Sequence, residues 1–259
     1  MVDNPWALYD ELIAGVPEDV LVRDYCYGKK WSFVEAECGM GVSYSVAGGA
    51  LFGSAENFRG KPLRALAELS KSWCFEDASL GVAALNAWYS RKSLVDALGA
   101  EYEECGRDPE VGKRMDAFTR LRPEIEAVEG ASVCVVGHFP HVERIAEYAN
   151  LTVLERNCRD RLDAPDSACE YVLPEQDYVF LTGTTVINKT APRLLQLSAN
   201  AKVGMLGPSV VPAEALMRAG VGLLASSVVV DPEQARYAVC GGAYQSFKGS
   251  LLRFIIESR

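Results

Sequence analysis

SVCVVGHFPHVERIAEYANLTVLE, residues 132–155, holds the pattern that decides the fold. A short apolar run (SVCVV, 132–136) ends at Gly137, a stretch of helical period follows (HVERIAEYA, 141–149), and a second apolar run closes the unit (LTVLE, 151–155). Apolar runs without alternation suit strands buried on both faces, and helices between them make the strands parallel. The same alternation continues downstream. YVFLT (178–182) precedes a helix around Ala191–Leu197, AKVGML (201–206) precedes AEALMRAG, and VGLLAS (221–226) precedes EQARYAV. This half of the chain, residues 106–259, therefore reads as a Rossmann-like domain with a mainly parallel sheet.

Upstream the style changes. A helix is expected from Asp3-Asn4-Pro5, where a capping side chain precedes a proline, with Leu8, Leu12 and Ile13 as its apolar stripe. VLVRDYCYG and WSFVEAEC, joined by Gly28-Lys29-Lys30, predict an antiparallel hairpin, and GVSYSV a third strand. Helical segments follow: PLRALAEL, EDASLGVAALNAWYS and KSLVDALGA. Strands followed by helices define an α+β domain over residues 1–105, so the fold class is α/β with an N-terminal α+β domain. The charged stretch Arg107-Asp108-Pro109 marks the change.

Composition narrows the partners. The 259 residues carry 26 Lys and Arg against 35 Asp and Glu, a net charge of −9. An acidic surface without clustered cations repels a phosphate backbone, which excludes nucleic acid as a partner and disfavours an anionic bilayer. No run approaches the ~20 apolar residues of a membrane span. The first residues, MVDNPWALYDELIAG, lack the basic and apolar regions of a signal peptide. The eight cysteines lie at least 11 residues apart, with no CxxC pair, as in reduced thiols of a cytoplasmic protein.

In an open parallel sheet, ligands bind beyond the carboxyl ends of the strands. The loops there supply the candidate ligand-binding residues Gly137 and His138; Glu155 and Asn157; Thr182, Gly183, Thr184, Thr185 and Asn188; and Gly207 and Ser209. Both histidines of the chain, His138 and His141, share the first loop, and neutral imidazole is a common transition-metal ligand. With Pro140 opening a helix, His141 would face the cleft from its first turn. The plainer alternative is that His138 fills a turn and His141 is a solvated helix start. GHFPH lacks the GxGxxG glycines that admit a pyrophosphate, yet Glu155 lies 18 residues after Gly137, close to the offset of a ribose-binding acid. Pairing of Glu155 with Arg156 is the plainer alternative. Asn188 is placed to cap the next helix. Asp163, Asp166 and Asp177 read as surface charges, and Glu35 and Glu37 as the solvent face of a strand. Asn86, on an apolar helix, either braces the core or faces a cleft. Cys240, before Gly241-Gly242, is either a ligand-facing thiol or a buried small residue.

Taken in order, LGVAALNA (80–87), VVG (135–137), LERN (154–157), DYVFLTGTTVINKT (177–190), GPS (207–209) and VCGG (239–242) resemble a known family. It is the heavy-metal chelation domain family, first defined as a domain of unknown function. The resemblance implies an N-terminal domain like that of enolase, a Rossmann-like second domain and a cleft between them. It also implies heavy-metal chelation and a link to anaerobic cobalamin synthesis or metal uptake. The leading expectation is a cytoplasmic protein that binds a transition-metal ion or metal chelate in the interdomain cleft, with His138, His141 and Cys240 as metal ligands. The competing expectation is an enzyme acting on a nucleotide-like or small anionic ligand held through Glu155. A third is a binding protein whose homodimer interface completes the cleft. Whether any reaction is catalysed is left open.

Overall fold

A computed structural model describes residues 4–103, 117–241, 247 and 249–258. The expected boundary between residues 105 and 106, the Arg107-Asp108-Pro109 stretch, Cys105 and Gly242 lie outside the described residues. The amino-terminal elements are α1 (Ala7–Ala14), β1 (Val22–Tyr27), β2 (Trp31–Ala36), β3 (Gly39–Tyr44), α2 (Leu63–Ala67), α3 (Phe75–Tyr89), α4 (Lys92–Ala97) and β4 (Glu101–Tyr102). Next come α5 (Ala117–Glu126), β5 (Ser132–Val136), β6 (Asn150–Glu155), β7 (Asp163–Pro165), α6 (Cys169–Val172), β8 (Tyr178–Thr182) and α7 (Thr184–Ile187). The chain closes with α8 (Ala191–Leu197), β9 (Lys202–Leu206), α9 (Glu214–Arg218), β10 (Val221–Val229), α10 (Pro232–Cys240) and β11 (Leu251–Glu257).

Strands β1, β2 and β3 form an antiparallel sheet, as the two turns require. The second sheet runs β4-β11-β10-β9-β8-β5-β6-β7. Within it, β5 to β10 are all parallel to one another, and their order from the edge is the 3-2-1-4-5-6 order of doubly wound dinucleotide folds. Two antiparallel strands, β11 and β4, extend one edge, and the short β7 forms the other; none of the three is expected from the sequence pattern. Residues 101–102, in β4, thus pair with the second sheet although they precede the expected boundary.

The pleat sorts side chains between two cores. Val133, Val135 and Phe180 point to one face, where Leu121 and Ile125 of α5 and Ile145 cover them. Cys134, Val179, Leu181 and Met205 point to the other, into a core that runs without a break to Leu12, Val34, Leu66 and Val82 of the amino-terminal domain. Each fully buried Leu, Val or Phe contributes about 1.5–3 kcal/mol, so this shared core fixes the two domains on one another.

Two local expectations are corrected. The first helix starts at Ala7; the Asn4 carboxamide instead accepts from the Trp6 N–H at 3.0 Å, closing the turn before it. After β5 the chain forms a 3-10 helix over Val142–Glu147 rather than an α-helix opened by Pro140, because His141 adopts a left-handed φ of 66°. No helix among the described residues is long and apolar enough to cross a membrane.

Candidate functional site

Strand order reverses between β5 and β8, so the crevice of this sheet opens beyond the ends of those two strands. Three loops meet there at backbone distance. Gly137, with φ 101°, lies so close to Thr182 that a Cβ would sit 2.9 Å from its methyl group. Gly183 donates to the Leu206 carbonyl at 2.9 Å, and a Cβ on it would fall 2.5 Å from the Val210 nitrogen. Gly207 also has a left-handed φ, 105°, but faces open space.

The hydroxyl groups after β8 largely satisfy one another. The Thr185 hydroxyl donates to the Thr182 carbonyl at 2.7 Å, and the Thr184 hydroxyl to that of Thr182 at 3.2 Å. The Asn188 side-chain oxygen accepts from the N–H of Thr190 at 3.1 Å and from its hydroxyl at 2.6 Å. Asn188 therefore shapes the turn before α8, whose flanking residue is Thr190.

The amino-terminal domain closes over this edge through polar contacts set in the apolar seam. The Tyr9 hydroxyl donates to Val186 at 2.8 Å. Asn86, which is buried, donates to the carbonyls of Val42 at 2.9 Å and Pro208 at 3.0 Å. Of its two readings, the brace is the one the structure shows. Lys189, not singled out by the sequence reading, adopts φ 67° and donates to the carbonyls of Ser72 and Ile187. Its ammonium lies 5.5 Å from the Phe75 ring centre, and burial pulls its pKa down to about 8. The available signal was a lysine inside an otherwise apolar and hydroxylic loop.

His138 faces away from this seam. Its Nδ1 lies 3.8 Å from Oδ1 of Asp163, whose side chain is 1% exposed. The other Asp163 oxygen accepts from the N–H groups of Arg159 at 2.7 Å and Asp160 at 2.9 Å, which holds the carboxyl below its usual range. Oδ1 is buried without a hydrogen-bond partner. It borders a hollow of about 60 Å³ lined by His138, Val142, Glu143, Val153, Asp160, Leu162 and Asp163. Asp163 is thus no surface charge; Asp177 is exposed, as expected, and accepts from the Ser132 N–H at 2.8 Å, which pins the start of β5. Asp166 does lie at the surface, paired with Arg156 at 3.2 Å.

The remaining candidates lie elsewhere. His141 approaches Glu143 at 3.7 Å. Glu155 accepts from the Arg156 backbone N–H at 3.0 Å, Asn157 is exposed, and neither lines the hollow. Cys240, at the end of α10, meets Cys26. Glu35, expected to face solvent, pairs with Arg236 of α10. The structure does not gather His138, His141 and Cys240: among the described residues, no group of three His, Cys, Asp or Glu is placed to hold a metal. The hollow at His138 is lined by second-domain residues alone, so the expectation of His138 in an interdomain cleft is corrected as well.

Two donors each about 2.0–2.2 Å from one ion stand at most ~4.4 Å apart, so His138 Nδ1 and Asp163 Oδ1 fit a shared ion. A dry carboxylate oxygen with no donor facing it is costly unless a cation or proton meets it.

A family model described as "Putative heavy-metal chelation" (DUF364) matches residues 122–256, and a second of the same description (DUF4213) matches residues 9–89. The chain is 28% identical over 262 residues to the uncharacterized protein MJ0500 of Methanocaldococcus jannaschii, covering 95% of this chain and 93% of that one. The crystal structure of a DUF364 protein of unknown function from Desulfitobacterium hafniense superposes with a TM-score of 0.86 at 32% identity, covering 98% of both chains. Another from Pyrococcus horikoshii shares the fold, with a TM-score of 0.80 at 22% identity over the whole of both chains. With more than half of its length matched by the first model, the chain belongs to the DUF364 family, the one described as "Putative heavy-metal chelation".

Proposed function

We propose that the protein binds a transition-metal ion, free or carried by a small-molecule chelate, through Asp163 and His138. The observation that carries this reading is the buried, unpartnered Asp163 oxygen 3.8 Å from an imidazole nitrogen. A carboxylate and an imidazole form a borderline donor pair suited to Zn, Ni, Co or Cu(II). His138 is half exposed, so the remaining coordination positions face solvent and can be filled by water or by the chelate's own donors. Supply of a metal to anaerobic cobalamin synthesis, or metal uptake, is a setting that this open coordination suits.

The test is calorimetric titration of chelator-treated protein with Co, Ni, Zn and Cu(II) salts. One ion per chain is expected, with a dissociation constant well below millimolar and weakened at least tenfold in His138→Ala and Asp163→Asn. Affinity no better than millimolar for every ion, or unchanged in both variants, would discard the reading.

A second reading rests on the 3-2-1-4-5-6 strand order and on the left-handed glycines Gly137 and Gly207 at the sheet's crevice. It is that a nucleotide-like or small anionic ligand binds beyond β5 and β8. A ligand at about 100 times its dissociation constant adds ~2.7 kcal/mol to the folded state, so thermal unfolding with nucleotides and S-adenosylmethionine tests it. A flat response to all of them removes it.

A further inference from the structure

Strand β1 and helix α10 come from opposite ends of the chain and lie side by side with matched repeats. Asp24 and Cys26 alternate along the strand and share one face, with Gly28 just past its end; Arg236 and Cys240, four apart, share one face of the helix. The contacts follow those two rows. Arg236 pairs with Asp24. The Cys240 thiol is close enough to Cys26 to raise its pKa. A Cβ on Gly28 would fall 2.7 Å from the Val239 carbonyl oxygen. Alternate strand residues advance ~6.7 Å and four helical residues ~6 Å, so the rows stay aligned through the thiol pair.

We propose that Cys26 and Cys240 form a two-coordinate thiolate site for a soft monovalent cation of the Cu(I) or Ag(I) class, at the seam between the domains. Thiolates select such ions over harder ones. Two donors suffice for them, whereas a tetrahedral ion would need more, and no group of three ligands is assembled among the described residues. Cys26 is partly buried and packs against the apolar cluster that holds Phe33 and Val239, while Cys240 is exposed and gives the ion a way in. Burial and the neighbouring Cys240 push the Cys26 thiol up to about 12, so Cys26 is protonated at neutral pH. Binding exchanges two protons for one cation: two S–H bonds break, two metal–sulfur bonds form, and no electron is transferred. Among the described residues, Cys158 instead faces the Glu155 carbonyl and Cys74 the Glu76 carboxylate. The site is independent of His138 and Asp163 and differs from them in the ions it takes.

The test supplies Cu(I) to reduced, anaerobic protein as its bicinchoninate complex. Loss of the complex's colour is followed, and reactive thiols are counted with dithionitrobenzoate. Wild type is expected to remove one Cu(I) per chain and to hide two thiols. Both effects should disappear in Cys240→Ser, an exposed substitution that leaves packing intact, and in Cys26→Ser. They should persist in Cys158→Ser and in His138→Ala, which separates this site from the one proposed above. Affinity should rise with pH, because protons leave as the ion binds. Failure of wild type to compete for Cu(I), or full uptake by Cys240→Ser, overturns the proposal. A mass two daltons low with no uptake identifies a disulfide between the two residues and overturns it too.

Discussion

Ser209 accepts a hydrogen bond from the backbone N–H of Tyr44 at 2.8 Å, which ties the loop after β9 to the last strand of the amino-terminal sheet. Asn86 reaches the same loop from α3 through the Pro208 carbonyl. Both side chains were candidates for ligand contact, and both are engaged in joining the domains. Replacing Ser209 by Ala removes the acceptor of a part-buried hydrogen bond and should cost about 1 kcal/mol. Asn86→Ala deprives two carbonyls of their donor and should cost more, about 3 kcal/mol. Because both act on one loop, the double variant should depart from additivity by at least ~0.5 kcal/mol. Urea unfolding of the three variants checks this; losses that simply add would mean the two contacts act separately.

The glycines of the site differ in what they permit. Gly183 has an ordinary φ of −58°, but its missing Cβ is replaced by the backbone of Val210 at 2.5 Å. Gly183→Ala must push the loops of β8 and β9 apart, at a cost of about 3 kcal/mol. Gly207→Ala meets no atom and pays only for its left-handed backbone, about 1–2 kcal/mol. Thermal unfolding should rank Gly183→Ala as the more damaging. The reverse order would show that the loops can separate freely.

The sequence revealed the central strands because burial on both faces leaves no polar alternation, as in SVCVV and YVFLT. It did not reveal β7, whose Asp-Ala-Pro has no apolar signal and is a strand only by pairing with β6. Nor did it reveal β11, an antiparallel addition with Arg253 exposed in its middle. Asp163 resembled a surface charge because its burial depends on two backbone N–H groups, from Arg159 and Asp160, which residue types do not encode. Cys26 and Cys240 stand far apart in the chain, and only the strand–helix register unites them. What composition marks well is a polar residue in an apolar setting, such as Asn86. The atom it bonds to is a property of the fold.

Acid should act on Asp163 in a defined direction. The N–H groups of Arg159 and Asp160 hold its folded pKa below the unfolded value of about 3.9. The folded state thus binds this proton less readily than the unfolded chain. Its contribution is complete above about pH 4 and is lost as pH falls through the lowered folded value. Asp163→Asn keeps an oxygen for the two N–H groups but cannot titrate. It should therefore be less stable than wild type at pH 7, and the gap should narrow as the pH is taken down towards 2. Urea unfolding at several pH values measures that gap, and a constant difference would refute the assignment.

Lys189 should behave in the opposite sense at high pH. Burial lowers its pKa to about 8, against about 10.4 in an unfolded chain. Below pH 8 both states carry the charge, and the folded state bears the full cost of burying it. Between about pH 8 and 10.4 the unfolded chain still holds the proton while the folded protein has released it, so this residue's contribution to stability rises with pH. The thiols of Cys26 and Cys134, raised by burial to about 12, work the other way and lower total stability over the same range. The informative quantity is accordingly the difference between wild type and Lys189→Met, in which the thiols cancel. Loss of the bonds to Ser72 and Ile187 displaces that difference by a constant, since methionine cannot donate to either carbonyl. On top of that offset, wild type should gain on the variant from pH 8 upward and level off near pH 10.5. A difference that stays flat across this range would show that the ammonium is solvated, and that Lys189 is not held in the seam as its contacts with Trp73 and Phe75 imply.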